Sequence, residues 1–222
     1  SQIRTHYPKT LEREIEIMEQ ERAIFPTEGY QVVVPQFMRE IVADVTQLAR
    51  RHADISQRSG VSVRVSITNY ENVLSSALRR AIRLGETEVV PRISDLGAVI
   101  ASTAGKIELE SIGETREDRL IEKLIQGAVL NTFNRSFSIH DFDELVARFE
   151  NGTTIEVGDA VPSADYLRIA AELPGIRRAG LKLGIKGSAA EVASVVEFVL
   201  EGLHLNRKLN KDRSAGKARY RR

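Results

Sequence analysis

Arg64 is the residue of this sequence best placed for chemistry on an anion. It stands in the run Gln57-Arg58-Ser59-Gly60-Val61-Ser62-Val63-Arg64-Val65-Ser66, a glycine-containing loop entering a helix, with the arginine at or just inside the first turn. The amino end of a helix carries partial positive charge and favours anions, so an arginine sits badly there unless it serves one. An ordinary surface arginine is the alternative, and these ten residues alone do not choose between the two.

Other constellations fall short of a chemistry. A phosphate-cradling loop needs two glycines five apart, followed at once by Lys and Ser or Thr. In Gly175-Ile-Arg-Arg-Ala-Gly180-Leu-Lys182 a leucine intervenes, Leu183 stands where a hydroxyl must meet magnesium, and the preceding residues have helical rather than strand spacing. These glycines read as a loop between helices, and Gly180, Gly184 and Gly187 miss the dinucleotide spacing. Ser138, His140 and Asp141 are close in sequence, but nucleophilic catalysis requires a base oriented in space by a third group. They read as a turn before a helix. His6, His52 and His204 are isolated, so no metal site is assigned. A DNA-reading helix would expose basic residues near its start, whereas the helix read from Ser66 offers Thr68, Asn69, Glu71 and Asn72 there and Arg79-Arg80 late.

The elements that must position Arg64 are mostly helices. Apolar residues recur at three and four positions through Leu11, Ile15 and Met18, through Phe37, Ile41, Val45 and Leu48, and through Tyr70, Leu74, Ala77 or Leu78, and Ala81. Pro35 suits a first helical turn and Gly85 a helix stop. A shorter helix is expected from Pro91 to Gly105, then a strand or extended linker over Lys106 to Glu110. Thr115 with Asp118 reads as a capping box ahead of Leu120, Leu124 and Ala128. A helix over Asp141 to Phe149 ends at the Asn151-Gly152 turn, and Thr153 to Val157 alternates like a strand that has no evident partner. Ser163 caps a helix to Leu173, and Ser188 with Glu191 opens a last one through Val192, Val196, Val199 and Leu203. The expected fold is mainly α: an antiparallel helical bundle, then a smaller helical C-terminal unit, with one or two short strands. Residues 1–30 form a trailing segment, 31–150 the bundle and 151–222 a helical extension with a basic tail.

Composition supports folding, with 42% hydrophobic and 28% charged residues. No apolar run approaches the roughly 20 residues of a membrane span, no signal peptide is visible, and the absence of Cys fits a reducing, cytoplasmic setting. The missing initiator Met suggests a processed or truncated chain. The net charge of +1 divides into +7 over Asn206 to Arg222 and −6 over the rest. Few apolar residues follow Leu209, so the tail is expected to be disordered and dispensable for stability. It has one aromatic, Tyr220, on which a base could stack, which argues against nucleic acid as its partner.

Ile3-Arg4-Thr5-His6-Tyr7-Pro8, the acidic helix after it, the segment from Gln57 to Arg64, the run Pro91-Arg-Ile-Ser-Asp-Leu96 and the late Gly202-Leu-His-Leu-Asn-Arg-Lys-Leu-Asn-Lys211 together resemble, in order and spacing, the C-terminal half of magnesium chelatase-like AAA+ ATPases, relatives of MoxR proteins. The resemblance covers essentially the whole chain. It implies that Ile3 to Pro8 is the last strand of an ATPase core, that a helical lid begins near Pro35, and that Arg64 is the sensor-2 arginine reaching the phosphates of ATP. It implies ATP and Mg2+ as cofactors of the complete protein, with Walker A, Walker B and the arginine finger ahead of Ser1. The implied partners are the AAA+ core itself, neighbouring subunits of a ring, and a von Willebrand A-type domain protein. The competing reading is a stand-alone helical module that binds protein or nucleic acid without nucleotide.

Overall fold

The computed structural model describes residues 6–23, 27–56, 58–109, 114–214 and 216–222. It is mainly helical, a bundle followed by a smaller helical unit with short strands. Helix α1 (Leu11–Glu21) starts where the Thr10 hydroxyl accepts the Arg13 N–H at 3.3 Å. Strand β1 (Gln31–Val32) leads to α2 (Gln36–Ala49), which Pro35 precedes as its cap instead of forming its first turn. Helix α3 (Val63–Leu84) is capped by Ser62 and stopped by Gly85 in the left-handed conformation, φ 68°. Strand β2 (Glu88–Val89) lies parallel to β1.

After a 3-10 turn at Ile93–Gly97 come α4 (Ala98–Thr103) and α5 (Glu114–Ser136). The expected extended piece between them pairs Leu109 with Ile55 in one antiparallel bridge, while Glu110 lies outside the described residues. Thr115 falls within α5, and the side chain on which the expected capping box with Asp118 depends lies outside the described residues. Helix α6 (Asp143–Glu150) precedes β3 (Ile155–Gly158), α7 (Ser163–Glu172), α8 (Ile176–Lys182) and α9 (Ala189–Leu205). Ser163 is the first residue of α7, after its cap Pro162. The Ser188–Glu191 capping box forms as expected. The segment read as an interhelical loop, Gly175 to Lys182, is instead α8, with Gly175 left-handed at its cap. Of the strand expected over Ile3 to Pro8, residues 3–5 lie outside the described residues and His6 to Pro8 form no strand.

Helix α9 is apolar nearly all round and is surrounded on every side, as such a helix must be. Phe198 stacks on Phe37 of α2 with ring centres 4.5 Å apart and meets Phe133 of α5 edge-on at 5.8 Å. Gly202 lies against the Phe133 ring, where any side chain would collide with it. One buried core therefore runs from α1 to the last residues of the chain. A buried polar cluster ties its halves together. Arg80 pairs with Asp95 at 2.9 Å, and Arg92, fully buried, donates to the Val161 carbonyl and the Ser163 hydroxyl and lies over the Tyr166 ring. Tyr166 donates to Glu197, and burial beside that carboxylate pushes its hydroxyl pKa up.

The tail overturns its expectation. Asn206 to Arg222 contains β4 (Asn210–Ser214) and β5 (Lys217–Arg221), a hairpin whose second strand pairs antiparallel with β3, giving a three-stranded sheet in the order β3, β5, β4. Repulsion among the cations is answered locally: Arg213 by Glu122, Lys217 and Arg219 by Glu156, Arg221 by Asp212, Arg222 by Glu150 and Lys211 by Glu201. Tyr220, 1% exposed, fills the core side and donates its hydroxyl to Glu201. Tyr220→Ala is expected to cost roughly 3–5 kcal/mol, a fall in melting temperature on the order of 10 °C. Removing residues 210–222 should cost at least as much, and calorimetry showing an unchanged melting temperature for both variants would refute the docked hairpin.

Candidate functional site at the start of the third helix

The structure places Arg64 at the second residue of α3, exposed, with its N–H accepted by the Ser62 side chain at 3.2 Å. Among the described residues no carboxylate pairs with its guanidinium, and the same is true of Arg58 in the preceding turn. The turn that carries Arg64 is held rigidly. Val61 and Val65 on either side are buried, at 0% and 3% exposure.

The holding device is a buried ion pair that residue-by-residue reading did not find. Arg50, which ends α2, grips Glu14 of α1 with both terminal nitrogens, at 2.6 and 2.9 Å. Its Nε donates to the Val61 carbonyl at 2.9 Å, and the Ser66 hydroxyl donates to Glu14 at 2.6 Å. Three helices thus converge on two points, Val61 and Ser66, that flank Arg64. Glu14 is completely buried, and a two-pronged arginine pair is the arrangement that compensates a desolvated carboxylate best. The Tyr7 ring covers the Arg50 guanidinium, 4.5 Å from its centre. Gly60 is left-handed, φ 68°, and a side chain there would strike the Tyr7 hydroxyl, so both backbone and packing require glycine.

A signal for Glu14 was present. It lies three residues after Leu11 and four before Met18, inside the apolar stripe of α1, where a carboxylate must find a partner. Arg50 and Tyr7 gave no such signal, because the Arg50 ion pair with Glu14 spans 36 residues and its contact with the Tyr7 ring spans more.

Beside this turn opens a cavity of about 570 Å³ lined by His6, Tyr7, Pro8, Arg13, Ile17, Ser59, Ser62 and Val63. Arg64 stands next to it without lining it. The Ser59 hydroxyl donates to Glu108, which anchors the loop from the other side. The arrangement can present a cation outward on a fixed lever, with room for an anion beside it.

The three residues close in sequence, Ser138, His140 and Asp141, belong to a turn. Ser138 caps the 3-10 turn Ile139–Phe142, with its N–H donated to Asp141, and His140 faces Asp143 at 3.3 Å, so Ser138, His140 and Asp141 build no nucleophile. Among the described residues no three His, Cys, Asp or Glu side chains are grouped to hold a metal, and no helix is long and apolar enough to cross a membrane. Comparison with protein-family models, curated proteins and solved structures found no match for this chain.

Proposed function

We propose that this chain is the lid and C-terminal region of a magnesium chelatase-like AAA+ ATPase. Its role is to couple ATP binding and hydrolysis in a joined nucleotide-binding core to remodelling of a partner or insertion of a metal. The observation that carries this reading is Arg64: an exposed cation without a described acidic partner, in the first turn of a long helix whose flanking residues are pinned to two other helices. A cation disfavoured by its own helix is held where a phosphate could answer it. ATP with Mg2+ would supply the phosphoryl chemistry; Arg64 would bind phosphate oxygens, and Arg50 and Glu14 would fix its direction.

The competing reading, a nucleotide-free interaction module using the basic tail, has less to stand on. Six of the tail's cations face carboxylates and its single aromatic is buried. A nucleic-acid surface needs free cations and accessible rings.

Two observations test the proposal. The open reading frame encoding this chain should carry Gly-x-x-x-x-Gly-Lys-Ser/Thr ahead of Ser1, and a frame without it would remove this function. Purified as the 222 residues, the chain should show no ATPase activity above background, since it holds neither a phosphate-cradling loop nor a magnesium ligand set. Turnover abolished by a mutation within the chain would contradict that.

A further inference from the structure

A space under the C-terminal sheet has no part in the proposed nucleotide role. The sheet of β3, β5 and β4 faces α4, α5 and α9 across a cavity of about 340 Å³. Its apolar wall includes Ile100 of α4, Ile125 and Val129 of α5, Val157 of β3 and Ala218 of β5. Its charged wall is Glu122, Glu197, Glu201, Lys211, Arg213 and Lys217.

The charges of this wall balance, three carboxylates against three cations. The groups next to it balance as well: Glu156 with Arg219, Asp159 with Arg83, and Asp95 and Glu86 with Arg80 and Arg92. A charged ligand would enter without a counter-charge. What the wall leaves open is hydrogen bonding at one point. Both Glu197 oxygens are engaged, one by the Tyr166 hydroxyl and the other by the Ser94 N–H at 2.8 Å. Glu201, 4% exposed, is only half engaged. Lys211 and Tyr220 both donate to its Oε2; among the described residues nothing donates to its Oε1, which keeps accessible surface. The Lys211 ammonium, with three N–H donors, gives one to Glu201. An enclosed carboxylate oxygen without a donor is costly, and an arriving O–H would remove that cost.

We propose that this cavity binds an uncharged apolar molecule that carries a hydroxyl group. A hydroxyl both donates and accepts, so its O–H meets Glu201 Oε1 while its lone pairs take an N–H of Lys211. An ammonium donates but cannot accept, and a carboxylate or an ether accepts but cannot donate; the two ions would also upset the charge balance. The hydrogen bond to the carboxylate is charge-assisted and fixes the hydroxyl, and the aliphatic wall takes the apolar body. The volume, at the lower end of the roughly 300–1,000 Å³ of small-molecule pockets, suits a body about the size of one ring.

The test is methyl NMR on the whole 222-residue chain at neutral pH, titrated with benzyl alcohol, benzyl methyl ether, benzylamine and benzoate. Benzyl alcohol is expected to give saturable shifts at Ile100, Ile125, Val129 and Val157, with a dissociation constant of roughly a millimolar or below. The ether, the amine and the acid should each bind at least about tenfold more weakly. Glu201→Gln should weaken the alcohol by at least as much. Ala218→Leu fills the cavity from β5 and leaves Glu201, Lys211 and Tyr220 in place. It should abolish binding, so the proposal stays testable if Glu201→Gln folds poorly. No saturable shift, an ether or a charged analogue bound as tightly as the alcohol, or unchanged alcohol affinity in either folded variant would overturn it.

Discussion

Replacing Arg64 by alanine in the protein joined to its nucleotide-binding core is expected to slow ATP turnover by roughly a thousandfold or more while the fold stays intact. The two halves of that expectation have separate causes. An arginine aimed at phosphate oxygens stabilises charge that develops in the transition state, so its loss appears in rate. The exposed Arg64 side chain makes no described ion pair and caps nothing, so its loss should leave stability within about 0.5 kcal/mol. Relief of an unfavourable charge at the helix start should even stabilise slightly. Arg64→Lys should recover only part of the rate, because an ammonium lacks the planar two-pronged donor geometry that suits phosphate. Arg58 is the control: equally exposed and equally unpaired, but in a turn anchored at neither Val61 nor Ser66. Arg58→Ala should matter less. Wild-type turnover in Arg64→Ala with loss in Arg58→Ala would mean that the other arginine reaches the nucleotide.

Breaking the pair beneath it should cost stability instead. Glu14→Ala leaves Arg50 buried against Val61 with no counter-charge, a loss of roughly 3–5 kcal/mol. Ser66 also loses its acceptor. For a chain of this size that is a fall in melting temperature on the order of 10 °C. Replacing both partners with apolar residues of similar volume, Glu14→Leu with Arg50→Met, should recover much of the loss, because neither charge is then stranded. The double variant separates two roles. If the latch serves only to hold α1 on α2 and α3, the double variant behaves as the wild type. If it also aims Arg64, turnover in the complete protein stays reduced after stability returns, because the hydrogen bonds to Val61 and from Ser66 are gone. Chemical denaturation giving Glu14→Ala wild-type stability would refute the latch.

What the sequence made legible was what it specifies locally. The Ser188–Glu191 box, the left-handed stop at Gly85 and the helical spacing of α2, α3 and α9 depend on residues within a turn or two of each other. Arg64 was visible for the same reason: a glycine loop and a helix start are neighbours in sequence. The hairpin was not. Its hydrogen-bonded partner, β3, lies some sixty residues earlier, and most of the cations that suggested disorder are neutralised by Glu122, Glu150 and Glu156 from elements distant in sequence. Composition reports how many charges a segment has and is silent about where their partners are. One trace of the hairpin was there to be read. Tyr220, among arginines, is an aromatic at an alternating position, and β5 turns it inward while Arg219 and Arg221 face water. The latch failed to show for a related reason, since Arg50 looks like any arginine at a helix end until α1 folds against it.

The central claim, that Arg64 touches the nucleotide, is tested most directly in the complete protein, with guanidinium-labelled arginine and a non-hydrolysable ATP analogue, by measuring nitrogen–phosphorus dipolar coupling in the solid state. The account predicts an arginine–phosphate contact that disappears in Arg64→Lys and persists in Arg58→Lys. A contact unchanged by Arg64→Lys would contradict it.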